Sequence, residues 1–151
     1  MRAVPVDRDC LSCMNSARLD LLPRERVYAS PGWRVAHAFG TSLPGWMVVL
    51  PRRHVTVLDE LTPEEAIGLG PLLSELTGAL RAVIPCEKTY VALFAEAEGF
   101  QHLHFHVIPR QADLRGPRVF GLLGGDPANH VPDTVMDQIA IDLARALQTS
   151  H

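Results

Sequence analysis

The chain holds seven histidines, and three stand together at His102, His104 and His106, separated by Leu103 and Phe105. A spacing of two is the strand period. An extended segment would project all three imidazoles from one face, with Leu103, Phe105 and Val107 on the other. Residues 101–108 are rich in aromatic and β-branched types, which predicts a strand closed by Pro109. Packing has no use for such a row, whose charges repel below neutral pH. Neutral imidazole is a nucleophile toward phosphorus, and a neighbouring N–H can hold phosphate oxygens. The same row could bind a catalytic divalent metal, as sites with three histidine ligands do, or be a plain polar strand face.

Other candidates are scattered. Cys10 and Cys13 form a C-x-x-C pair: half a metal site, a redox pair, or two thiols packed as small apolar groups. Arg52-Arg53-His54 is a local basic cluster that could meet a phosphate. Trp33, Phe39 and Trp46 could stack on a base or belong to the core. Cys86, after Pro85, reads as a packing residue, and nothing in the sequence names partners for His37, His130 or His151.

At 151 residues the chain is long enough to be one domain, 1–151, that buries most of its apolar surface. The hydrophobic fraction is 47% and the charged fraction 21%, values of a globular soluble protein. A net charge of −3 and the lack of a Lys/Arg run argue against a general nucleic-acid binder. No apolar run reaches the ~18–20 residues needed to span a bilayer, so no membrane partner is expected. Residues 1–9 lack the apolar stretch of a signal peptide. Three cysteines do not suggest a disulfide framework, which points to the cytoplasm.

The elements that must position these groups follow from periodicity. Residues 27–30, 33–39 and 46–50 read as strands, with a Ser30-Pro31-Gly32 turn and a loop over 40–45. Thr62-Pro63-Glu64-Glu65 is a capping box with proline at the first helical position. It starts a helix over 63–83, kinked at Pro71, with an apolar stripe at Ile67, Leu69, Leu72, Leu73, Leu76, Leu80 and Ile84. Residues 88–95 read as a strand that turns through 96–99 and pairs antiparallel with the histidine strand. Residues 111–133, rich in glycine and proline, should be mostly loop, and 134–148 a final helix. The sum is an α+β fold: about five antiparallel strands, one long helix and a C-terminal helix.

The run from His102 to Ile108 alternates histidine and apolar residues and ends in two apolar positions. It resembles the motif of the histidine triad (HIT) family. Pro109-Arg110, Pro44-Gly45, the segment 51–54 and the cysteine pair extend the resemblance over roughly residues 10–110. The resemblance implies a HIT-like fold, usually a homodimer. It also implies nucleotide hydrolysis or nucleotidyl transfer through a covalent histidine intermediate. Dinucleoside polyphosphates and nucleoside phosphoramidates are the implied substrates, diadenosine polyphosphates ahead of the rest. His104, the middle histidine, would be the nucleophile, and His106 would contact the phosphate. Some members, and the related galactose-1-phosphate uridylyltransferases, join the cysteine pair to two histidines around a structural zinc. Here those ligands would be Cys10, Cys13, His54 and His102. The dimer interface is expected at the long helix and the strand around 90–95.

Two departures from the family pattern stand out. Many nucleotide-handling members carry Gly-Gln and a Ser or Thr just before the triad, whereas this chain reads Ala97-Glu98-Gly99-Phe100-Gln101. Glu98 would bring negative charge toward a phosphate unless it points away, and alternation puts Gln101 on the core side. The acidic or amide residue that grips the ribose falls on Ala38, unless Thr41 or Ser42 takes that role. These departures keep a second function open, a nucleotide-binding or regulatory module with little turnover.

Overall fold

The structure is a computed structural model that describes residues 6–114, 118 and 121–149. Its elements run α1 (Leu11–Ala17), β1 (Tyr28–Ala29), β2 (Trp33–His37), β3 (Met47–Pro51), α2 (Pro63–Val83), β4 (Lys88–Leu93), β5 (Phe105–Arg110) and α3 (Asp133–Gln148). The five strands form one antiparallel sheet in the order β1-β2-β3-β5-β4. This is the α+β arrangement expected from the sequence.

Alternation gives the sheet two different faces. Trp33, Val35, Met47, Val49, Phe105 and Val107 pack with Leu72, Leu76 and Leu80 of α2 and with Ala140, Leu143 and Leu147 of α3. The other face carries Arg34 and Ala36 from β2, Val48 and Leu50 from β3, and His106 from β5, and it lines a cavity. Cross-strand pairing sets the register. Arg34 lies opposite Leu50, Ala36 opposite Val48, and Val48 opposite His106.

The capping box of α2 is complete: the Glu65 amide donates to Thr62 Oγ1 at 3.2 Å, and the Thr62 amide to Glu65 Oε2 at 2.9 Å. The helix continues through Pro71 as a single element. Pro71 removes the bond to the Ile67 carbonyl, but both residues lie on the solvent side, where water can replace it. Ile67 is 75% exposed, so it does not belong to the core stripe, which Ala79 completes instead.

The histidine strand begins later and ends later than its pattern suggests. It spans Phe105–Arg110, leaving His102 and His104 ahead of it. Over that stretch Leu103 donates to the Val55 carbonyl, and the His102 ring, not a ladder amide, takes the Pro51 carbonyl. Pro109 lies inside β5. Arg110 gives its carbonyl to the Glu87 amide beside β4, so Pro109 turns its missing N–H to the β3 side. There β3 pairs only as far as Val107, and no ladder bond is lost. Gly45 closes the β2–β3 loop at φ +88°, against Ile84 and Pro109 (3.1 Å from a Cβ built there), so no larger residue fits.

The described residues of the loop after β5 include a short 3₁₀ turn at Pro127–Asn129 and an isolated antiparallel bridge from Leu123 to Thr41. The expected Gly116-Pro117 turn and His151 lie outside the described residues. Among the described residues no helix is long and apolar enough to cross a membrane.

Candidate active site and metal cluster

The structure splits the histidine row. His104 and His106 line one cavity with ring centroids 4.9 Å apart, while His102 turns into a separate cluster. All three imidazoles would share a face only if the strand began at Gln101. It begins at Phe105, so alternation holds for His104 and His106 alone in facing the cavity.

His104 and His106 have fixed tautomers. His104 Nδ1 lies 2.8 Å from the His102 carbonyl, which can only accept, so Nδ1 carries the hydrogen and Nε2 keeps its lone pair. His106 is the reverse. The Trp46 indole N–H donates to His106 Nδ1 at 3.0 Å, so Nε2 carries the hydrogen. Burial, and then the neighbouring His104, lower His106 to about 4. It is therefore a neutral N–H donor at physiological pH. A nucleophilic nitrogen thus stands beside a fixed donor, and the two rings are held by groups from two different segments.

The cavity measures about 430 Å³. Ala36, Ala38, Val48 and Leu50 form its floor, Phe39 and Phe100 flank it with ring centroids 5.6 Å apart, and Arg34, Glu25 and Asn15 lie at one end. Of the three candidate stacking rings only Phe39 is exposed there. Trp33 is buried in the core with its N–H on the Glu65 carbonyl, and Trp46 is buried against His106. His37 is buried and lines the cavity, its Nδ1–H donating to the Ala38 carbonyl and its Nε2 accepting from the Gly45 amide. His130 donates to the Gly124 carbonyl.

Several residues placed near the cavity by the sequence pattern lie elsewhere. Glu98 is exposed and does not line the cavity, so it brings no charge to it; Glu96 does line it. Gln101 is exposed, not on the core side, because it precedes the strand. Thr41 and Ser42 direct their hydroxyls to the Leu122 carbonyl, outside the cavity, so neither replaces a ribose ligand at Ala38. Arg53 pairs with Glu65 at 2.9 Å and Arg52 donates to the Ser16 carbonyl, so neither lines the phosphate side of the cavity. Sequence reading passed over Arg34, Glu25 and Asn15 altogether. The only trace was an arginine in the middle of a strand otherwise buried on both faces.

The second cluster gathers Cys10, Cys13, His54 and His102, whose ligand atoms all lie within 4.8 Å of one another. Cys10 Sγ and Cys13 Sγ stand 3.4 and 3.5 Å from His102 Nδ1, and Cys13 Sγ 3.4 Å from His54 Nδ1. Ligands of a tetrahedral zinc with bonds of about 2.3 Å to sulfur and 2.0–2.1 Å to nitrogen are spaced by about 3.6 Å. The donor set and the spacing therefore fit that ion. His102 Nε2–H donates to the Pro51 carbonyl at 2.8 Å, which leaves Nδ1 as the ligating atom. Burial, and the neighbouring Cys10, push the Cys13 thiol up to about 11, so binding a cation there must displace a proton.

Residues 21–113 match the model of the HIT domain. The chain belongs to the HIT family. Two strains of Mycobacterium tuberculosis carry an uncharacterized HIT-like protein 28% identical over 90 residues, a match covering 58% of this chain. The matched part is 62% of the length of those relatives. Among solved structures, a hypothetical histidine triad nucleotide-binding protein from Sulfolobus tokodaii superposes with a TM-score of 0.71 at 12% identity, covering 93% of both chains. A zinc-bound histidine triad protein from Mycobacterium smegmatis gives 0.67 at 18% identity over 93% of this chain and 94% of its own. A uridylyltransferase gives 0.66 at 24% identity over 94% of this chain and 46% of its own. At these identities the HIT proteins and the uridylyltransferase share the fold with this chain.

Proposed function

We propose that the protein is a nucleotide hydrolase or nucleotidyl transferase that works through a nucleotidyl-histidine intermediate. The observation that carries this is the opposed tautomers of His104 and His106 over one cavity. His104 Nε2 attacks an α-phosphorus, and the bond from phosphorus to the leaving oxygen or nitrogen breaks. His106 Nε2–H donates to a nonbridging oxygen or to the leaving group. Water then attacks phosphorus, the phosphorus–nitrogen bond breaks, and a nucleoside monophosphate leaves. The Sulfolobus tokodaii protein, named as nucleotide-binding, and the uridylyltransferase support this reading. Dinucleoside polyphosphates and nucleoside phosphoramidates are the proposed substrates.

The cysteine–histidine cluster would hold a structural zinc, a reading supported by the zinc-bound Mycobacterium smegmatis relative. Bound there, the ion fastens α1 and the segment around His54 to the chain entering β5. The three cysteines are free, which suits a cytoplasmic protein. The exposed outer edge of β4, with Val91, is the proposed homodimer interface.

Intact-protein mass spectrometry tests the chemistry. Wild type and His104→Ala are mixed with adenosine and guanosine phosphoramidates and with diadenosine polyphosphate, then quenched early. Wild type is expected to show a transient nucleotidyl adduct and the variant none, with turnover reduced about 10⁴-fold or more. Absence of both adduct and turnover on wild type would leave a binding module instead.

A further inference from the structure

Arg34, Glu25 and Asn15 form a polar cluster in the cavity lining, beside the apolar Ala36, Val48 and Leu50. Arg34 is buried, with a side-chain exposure of 3%, and lines the cavity with Glu25 and Asn15. Its guanidinium is held from behind. Nε donates to Ser16 Oγ at 3.1 Å, and Nη1 donates to the Glu25 carbonyl at 2.8 Å and to Glu25 Oε2 at 3.2 Å. Asn15 Nδ2 donates to the same Oε2 at 3.4 Å. These bonds use Nε and Nη1 of Arg34, Oε2 of Glu25 and Nδ2 of Asn15. Among the described residues no buried side-chain nitrogen or oxygen lacks a partner. Arg34 Nη2, Glu25 Oε1 and Asn15 Oδ1 take no part in these bonds, and all three residues line the cavity.

The register gives the reach. Arg34 pairs with Leu50, and continuing the β3–β5 register by one residue beyond Val49↔Phe105 brings His104 alongside Leu50. The backbones at Arg34 and His104 thus lie on either side of β3, about two strand spacings or roughly 10 Å apart. A span of that order suits a 5′-nucleotide whose phosphorus meets His104 and whose base reaches toward Arg34. Leu50, Ala36 and Val48 between them give a flat apolar floor on which a ring can lie.

Resting on the proposed nucleotide chemistry, we infer that Arg34, Glu25 and Asn15 form a base-reading subsite selective for guanine. The cluster offers one donor group beside two acceptors. Guanine presents the complement along one edge, its O6 acceptor beside the N1–H and N2–H donors. Adenine, cytosine and uracil each lack a second adjacent donor group. A charged donor and a charged acceptor make these bonds the strong kind, and a base that leaves the cluster unmatched strands buried polar groups.

Isothermal titration of the wild-type protein with GMP, AMP, UMP, CMP and ribose 5-phosphate tests this. GMP is expected to bind about tenfold or more tightly than AMP or either pyrimidine nucleotide, the value of one good charge-assisted pair. Glu25→Gln should erase that advantage and leave ribose 5-phosphate binding unchanged, with a thermal melt confirming the fold. Asn15→Leu, which keeps the Arg34–Glu25 pair, should narrow the advantage and serves if Glu25→Gln does not fold. GMP within twofold of AMP, or a full advantage retained in the folded variants, overturns the subsite and leaves the cluster a clamp between α1 and the sheet. Equal binding of all five ligands removes the selectivity but keeps the phosphate chemistry. No binding of any of them removes both.

Discussion

His106 owes its role to a single indole. Trp46 donates to Nδ1, so the ring cannot turn or change tautomer without losing that bond, and Nε2–H stays directed away from it. Trp46→Phe keeps the ring volume and removes the donor. We expect kcat to fall about tenfold, the value of one hydrogen bond of about 1.4 kcal/mol, with KM little changed. A rise in KM of the same size with kcat unchanged would instead place Trp46 in substrate binding. The buried imidazole also ties stability to pH. His106 is lowered from 6.5 to about 4 in the folded chain, so between those values the unfolded chain binds a proton that the folded one does not. Stability is then independent of this group above pH 6.5 and is lost as pH falls toward 4. Melting temperatures across that window should fall in wild type and less steeply in His106→Asn; parallel curves would exclude this linkage.

Among the elements, β4 has incomplete surroundings. It is an edge strand, and Val91 and Phe94 are 47% and 63% exposed. Val91 stands opposite Val107, on the face that elsewhere packs against the helices, yet it has no such cover. An apolar edge with free backbone groups is a pairing surface. Sedimentation should give twice the chain mass for wild type and one chain mass for Val91→Glu. A wild-type monomer at high concentration would dismiss the interface. Helix α2, by contrast, is complete in itself: its capping box, first-turn proline and apolar stripe are local features, and each appears where periodicity placed it apart from Ile67.

At the scale of the whole molecule, the cysteine–histidine cluster joins segments 92 residues apart, from Cys10 to His102. Elemental analysis should find one zinc per chain, absent from Cys13→Ser. Chelation should lower the melting temperature and loosen residues near the cluster in hydrogen exchange, because a structural ion contributes its binding free energy to folding. Loss of turnover with an unchanged melting temperature would make the ion catalytic instead. The two clusters are linked through backbone: the His102 carbonyl that fixes His104 belongs to the residue whose ring enters the cysteine cluster. Metal removal should therefore also disturb the His104 tautomer.

By itself the sequence determined what is periodic or contiguous. The alternation of histidine and apolar residues placed His104 and His106 side by side. A capping box and an apolar stripe placed α2, apolar spacing placed α3, and turn residues separated β1 from β2. Those features depend on bonds within a few residues, so their types and spacing suffice. The tertiary structure alone decided which distant groups meet. It began β5 at Phe105 and drew His102 out of the row, because the Pro51 and Val55 carbonyls were there to receive its ring and the next amide. It set Trp46 on His106 across 60 residues, and it folded α1 and the turn around Glu25 against Arg34 to give an apolar cavity its polar end. Contacts of that range are set by how the layers pack, and spacing along the chain carries no record of them.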